Sequence, residues 1–216
     1  MSLGDSVAAG SQCDCRPFPD LIRDAAMRRT GADTYLLNDA DGGVTSTDVL
    51  ADIRRDASQA VTALRAATVV TVTVGANDFD EGAADGCDPN LDCYGDRIAT
   101  MQNNVASIVT RIGGLSGGKA KVLVIGYWGV FLDGAAGAAR GPQYVRTARL
   151  LTQRVNAALA AAAGSTSATY VDIDAAFTAQ VGADRTSLLA NDGDHPNATG
   201  HRVIADAVLA ACRCAS

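Results

Sequence analysis

The chain has 216 residues, 48% of them hydrophobic and 19% charged, which suits one globular domain over residues 1–216 and excludes a disordered chain. Its net charge of −6, with Arg28, Arg29, Arg54 and Arg55 set in pairs beside acids, excludes a phosphate-tracking surface, so nucleic acid is not an expected partner. The longest apolar run, the alanine tract around Ala157 to Ala163, is too short and too weakly hydrophobic to cross a bilayer, and a soluble monomer is expected.

Only Met1-Ser2-Leu3 precede Gly4, too few for a full strand, so a leader and part of the first strand are expected to lie upstream. Phe18 to Arg29 follows Pro17 with Phe18, Leu21, Ile22, Ala25 and Ala26 at helical spacing. A weak strand is expected over Thr34–Leu37. One long helix is expected over Thr47–Leu64, on Val49, Leu50, Ile53, Ala57, Ala60, Val61 and Leu64. Thr68–Val74 is the clearest strand, a continuous β-branched run of the kind buried on both faces of a parallel sheet. A helix over Asp96–Ile112, a strand over Lys121–Ile125, a helix over Tyr144–Ala163, a weaker strand over Thr169–Ile173 and a helix over Ala198–Ala211 complete the series. Alternation of this sort predicts an α/β fold, three layers around a doubly wound parallel sheet, with functional groups on loops leaving the carboxyl ends of strands.

Six cysteines form three close pairs, Cys13/Cys15, Cys87/Cys93 and Cys212/Cys214. The even count in loop-like surroundings favours disulfides and a secreted protein. Cys87 and Cys93 enclose a short polar loop and are expected to be bonded. The other four could bond within each pair or between the two pairs. A metal site is not expected, because neither the spacing nor the histidines match a zinc pattern.

Four short segments carry the chemistry. Ser6, in Gly4-Asp5-Ser6-Val7, follows the first strand where a short helix can open, and offers either a nucleophile or a helix cap. Asp192 lies three residues before His195 on a turn-rich loop, so its carboxylate can reach Nδ1 and leave Nε2 free to take the Ser6 proton. Asp194 is the competing acid, but adjacency tends to point its side chain away. The chain's other histidine, His201, is expected to be a partly buried structural residue. Gly43 can turn an unobstructed N–H toward an oxyanion, or be a plain turn glycine. Asn77 follows the strongest strand and offers a neutral amide donor, or an Asx turn, while Asp78 could anchor the loop. Trp128, in Tyr127–Leu132 after the fourth strand, either lines an apolar substrate pocket or packs in the core. Ala8 breaks the Gly-x-Ser-x-Gly elbow of α/β-hydrolases.

Gly4-Asp5-Ser6-Val7, Gly43, Gly75-Ala76-Asn77-Asp78 and Asp192-x-x-His195 together resemble the four blocks of the SGNH (GDSL-type) hydrolases, from residue 4 into the last helix. Thr45, Asp48, Pro196 and Gly200-His201 lie in typical surroundings, whereas Val7 stands where leucine or tyrosine is common. The resemblance implies the flavodoxin-like fold of that family and a serine hydrolase that needs no cofactor or metal. It further implies Ser6 as nucleophile, His195 as base then acid, and Asp192 as its orienting partner. The oxyanion hole would be the Ser6 and Gly43 N–H groups with the Asn77 amide. The substrates expected are carboxylic esters, short-chain acyl or carbohydrate acetyl esters first. Phospholipid, lipid or thioester substrates, or a non-catalytic carbohydrate- or surface-binding protein on this fold, are the alternatives. A histidine base predicts activity that falls as the imidazole protonates.

Overall fold

The computed structural model describes residues 1–80, 87 and 90–212. Five parallel strands, β1 (Ser2–Gly4), β2 (Asn38–Ala40), β3 (Val69–Thr73), β4 (Lys121–Ile125) and β5 (Thr169–Val171), form one sheet in the order β2-β1-β3-β4-β5. The helices are α1 (Ser6–Ala9), α2 (Phe18–Thr30), α3 (Ser46–Arg54), α4 (Gln59–Ala66), α5 (Gly95–Ser116), α6 (Gly134–Ala139), α7 (Pro142–Gly164), α8 (Ile173–Val181) and α9 (Ala198–Cys212). α9 packs on α2 and α8, and α5 packs on α3, α4 and α7, so the sheet is covered on both faces. This is the α/β/α, doubly wound architecture expected from the alternating pattern.

The order places a topological switch point between β1 and β3, where the chain leaves β1 in one direction and returns past it to build β3. Crevices at the carboxyl ends of strands open at such points. Gly4 lies opposite Thr73 in the register, so the residues just beyond these two strands share one crevice. Gly4 has a steric reason to be glycine: a Cβ there would stand 2.5 Å from the Thr73 carbonyl oxygen and 3.2 Å from the Ala8 Cβ. That close approach lets α1 fold directly over the strand it leaves.

The strand expected over Thr169–Ile173 stops at Val171, because the Asp172 side chain accepts the Ala175 N–H and starts α8, and two further elements differ from expectation. The helix expected over Thr47–Leu64 is two helices, α3 and α4. Arg55 takes extended backbone, and the Ser58 hydroxyl accepts the Val61 N–H at 3.1 Å, starting a new helix. A serine cap supplies a bond that a continuous helix would leave unused, which outweighs the unbroken apolar stripe. The weak strand expected over Thr34–Leu37 lies instead at Asn38–Ala40. Pairing with β1 sets that position, since Ser2 donates to the Leu37 carbonyl and Ala40 stands opposite Gly4. An edge strand tolerates the polar Asn-Asp pair that hid it in the sequence.

Cys13 and Cys15 are joined to each other, and Cys87 is joined to Cys93 with Cα atoms 5.5 Å apart. Cys212 is also disulfide-bonded, and Cys214 lies outside the described residues. No described helix is long and apolar enough to cross a membrane.

His201 is fully buried, deeper than expected, between α9 and the start of α2. Its Nδ1 accepts the Phe18 N–H at 3.2 Å and its ring stacks on Phe18. Burial, reinforced by the nearby His195, lowers its pKa to about 4. An unfolded histidine protonates near 6.5, so this group removes roughly 2–3 kcal/mol of stability as pH falls from 7 to 4.5. Asp5 acts in the opposite sense. Its carboxyl is fully buried, and desolvation raises its pKa to about 6 despite bonds from Tyr127 and Val7. The folded state therefore holds that proton more tightly than the unfolded chain, and stability is recovered, by roughly 2 kcal/mol, over the same fall. Asp5→Asn should thus lose about 2 kcal/mol more than the wild type between pH 7 and pH 4.5, read by urea unfolding at both values. Equal losses in the two proteins would show that Asp5 does not titrate in this way.

Candidate active site

Ser6 is the first residue of α1, directly beyond β1. Asp5, and not Ser6, caps this helix, its Oδ1 accepting the Val7 N–H at 3.0 Å. The serine hydroxyl is thereby released from capping and stands half-buried at the crevice. Asn77 lies in a short 3-10 turn, Ala76–Asp78, that follows β3. One N–H of its side-chain amide donates to the Val44 carbonyl at 3.0 Å, which leaves the other for a ligand.

Asp78 anchors the neighbouring loop, as expected. Its two oxygens accept the Ser46 N–H at 2.9 Å and the Ser46 hydroxyl at 2.6 Å. Desolvation raises the Asp78 pKa, against the lowering effect of those two bonds. α3 is thereby fixed beside the Asn77 turn, and Thr45 and Asp48 close its amino end as a reciprocal capping box. Gly43 precedes this cap with φ +82°, a conformation that favours glycine, and open space surrounds its Cβ position.

The histidine loop is held from three sides. Leu189 and Pro196 form an antiparallel bridge, Asp133 donates to the Gly193 carbonyl at 2.8 Å, and Asn197 caps α9 through the Thr199 and Gly200 N–H groups. Asp192 Oδ2 stands 2.6 Å from His195 Nδ1, while its Oδ1 accepts the Asp194 and His195 backbone N–H groups at 3.0 and 3.1 Å. Burial pushes the Asp192 carboxyl up, but the bonds from His195 and the two backbone amides outweigh it and the pKa ends below the usual value. The Asp194 carboxylate is 3.8 Å from the same nitrogen, beyond hydrogen-bond reach.

Ser6, Asn77 and His195 line one cavity of about 90 Å³ with Asp5, Phe79, Tyr127, Trp128 and Val130. Residues 71 and 189 positions apart in sequence from Ser6 thus meet at the switch point. Gly43 does not line this cavity; it lies one residue from Val44, the partner of the Asn77 amide. Trp128 packs in the core, 2% exposed and stacked on Phe177 with ring centroids 4.9 Å apart, and it also lines this small, mostly polar cavity. Arg185 fixes this wall by donating to the Trp128 carbonyl and to Asp133.

A roomier cavity of about 740 Å³ opens at the opposite pole, among Pro19, Ile22, Leu36, Leu37, Ala63 and Val208. It is mostly apolar and no histidine lines it, so its size carries no argument for chemistry. Cys13, Cys15 and a ring nitrogen of His201 lie within 4.8 Å of one another. The two sulfurs are bonded to each other, and Nδ1 is an acceptor, which leaves the neutral ring's proton on Nε2. That chemistry does not suit a metal.

Sequence reasoning gave no role to Asp133 or Arg185, nor to the buried carboxyl of Asp5, and read Tyr127 only as part of a segment that could line a pocket. Asp5 lay inside a motif and Tyr127 inside a noted loop, but their pairing across 122 positions leaves no local signal.

An oriented imidazole beside a free hydroxyl and an amide donor, at the switch point of a parallel sheet, is equipment for acyl transfer. The chain belongs to the GDSL-like lipase/acylhydrolase family, whose model matches residues 2–203, and it is accordingly a carboxylic ester hydrolase. Solved structures share the fold. A lipase from a goat rumen metagenome has a TM-score of 0.75 at 15% identity, over 97% of this chain and 95% of that one. The acetylxylan esterase Axe2 from Geobacillus stearothermophilus has 0.67 at 17%, over 98% and 92%. TesA has 0.63 at 21%, over 100% and 98%. No curated protein sequence matches the chain.

Proposed function

We propose that this protein is a serine esterase that cleaves short-chain carboxylic esters, acetyl esters of carbohydrates among them, through an acyl-enzyme. The reading is carried by the cavity that Ser6 and Asn77 share with a histidine already oriented by Asp192. Nδ1 of His195 donates to Asp192, so Nε2 accepts the Ser6 proton as the hydroxyl oxygen attacks the ester carbonyl. The resulting oxyanion is received by the Asn77 amide with the Ser6 N–H group, while Gly43, outside the cavity, shapes the turn whose Val44 carbonyl holds that amide. His195 returns the proton to the departing alcohol. Water then repeats the sequence, giving its proton to His195 and releasing the carboxylic acid. All these residues come from one chain, in keeping with action as a monomer, and the disulfides are in keeping with export.

The short-chain preference is supported by the cavity's small volume and by its rigid wall, where Trp128 is fixed between Phe177 and Arg185. An acetylxylan esterase among the similar folds points the same way. Kinetics on p-nitrophenyl esters should give a kcat/KM for acetate at least about tenfold above that for octanoate, since unfavourable packing of each added methylene costs a substantial part of a kcal/mol. Rates that rise toward octanoate would refute the short-chain assignment. Asn77→Ala should lower kcat by about 10²–10³-fold with a smaller change in KM, as removal of an oxyanion donor does elsewhere. A loss confined to KM would assign Asn77 to ground-state binding instead.

A further inference from the structure

We infer that Tyr127 is a positioning residue of the ester hydrolysis, acting through Asp5 to hold the Ser6 turn and the Asn77 turn in one arrangement. The inference rests on the serine esterase reading given above.

The Tyr127 hydroxyl, itself 1% exposed, donates to Asp5 Oδ2 at 2.5 Å in the interior. The Ala76 backbone amide, one residue before Asn77, faces the same hydroxyl and lines the same cavity. The other Asp5 oxygen takes the Val7 N–H, one residue after Ser6. One phenol is therefore bonded to the loop that leaves β1 and stands against the loop that leaves β3, while its own backbone leaves β4. That backbone is clamped in turn: the Tyr127 N–H donates to Asn156 Oδ1 at 2.9 Å, and Asn156 Nδ2 donates to the Tyr127 carbonyl at 2.7 Å. Three strand ends meet around one phenol, in the cavity that Ser6 and Asn77 line.

A structural role alone would be met more cheaply. Capping α1 requires one acceptor, which an asparagine or serine supplies without burying a charge. Filling the space requires a phenylalanine ring, with no hydroxyl to satisfy. What the Tyr127–Asp5 pair adds is directional: hydrogen bonds fix where Ser6 and Asn77 stand relative to each other. Misplacement by about 1 Å at a reacting centre can cost about 10²-fold in rate.

The test is Tyr127→Phe, alone and combined with Asp5→Asn, assayed on p-nitrophenyl acetate. Tyr127→Phe should lower kcat by about 10- to 100-fold and leave KM within about threefold, because positioning is expressed in the transition state. In the Asp5→Asn background the tyrosine substitution should cost less than about threefold, since the residue through which it acts is gone. A kcat within twofold of wild type or fully additive losses would each overturn the inference. If Tyr127→Phe does not fold, near-isosteric Asp5→Asn alone decides it: a loss of kcat at constant KM supports the inference, and wild-type kcat sinks it. The esterase reading is tested separately, since its failure would appear as no fluorophosphonate labelling of the wild-type protein.

Discussion

Ser6→Ala should lower kcat on p-nitrophenyl acetate by between about 10⁴ and 10⁶, the range seen when a serine nucleophile is removed from an otherwise intact triad. The protein should remain folded. Asp5 supplies the cap of α1, and the Ser6 side chain is only half-buried, so the substitution removes the attacking oxygen and little else. Covalent labelling by a fluorophosphonate should disappear with it. Residual turnover within a hundredfold of wild type, with labelling retained at another residue, would show that the nucleophile lies elsewhere.

Asp192→Asn should be nearly as damaging, by about 10³ to 10⁴ in kcat. The physical cause is the proton on the ring. In the wild type Asp192 Oδ2 accepts from Nδ1, so Nε2 keeps its lone pair. An asparagine can keep its carbonyl oxygen on the Asp194 and His195 backbone N–H groups, and then its NH₂ faces Nδ1. Nδ1 becomes the acceptor, the proton moves to Nε2, and the base is lost without a change of shape. Asp194, 3.8 Å from Nδ1, tempers the loss by offering a second acceptor after a small ring rotation. Thermal unfolding within a few degrees of wild type should accompany the kinetic loss. A drop of less than about tenfold would reassign the orienting role to Asp194.

Much of the fold was legible because its strands are buried on both faces and so read as unbroken β-branched runs. Lys121–Ile125 coincides with β4 and Thr68–Val74 contains β3. β2 was misplaced for the converse reason. At the sheet edge, pairing register decides where the strand lies, and Asn38-Asp39-Ala40 carries no hydrophobic pattern. The division between α3 and α4 turned on one serine hydroxyl competing with a helix that periodicity favoured.

The candidate site was legible for a different reason. Ser6, Asn77, Asp192 and His195 each lie beside residues that shape a turn locally, so short motifs survive in the sequence. The depth of the site was not legible. A carboxyl such as that of Asp5 looks like any acid until a tyrosine from another strand end closes over it. The wall made by Trp128, Phe177 and Arg185 likewise joins distant positions whose complementarity exists only after folding.

The bond from Phe18 to His201 carries a consequence for how α2 and α9 depend on each other. One ring joins the second helix to the last across 183 positions, and it does so with a lone pair rather than by packing alone. Loss of α9 would leave the Phe18 N–H buried with no acceptor, so the two helices are expected to loosen together.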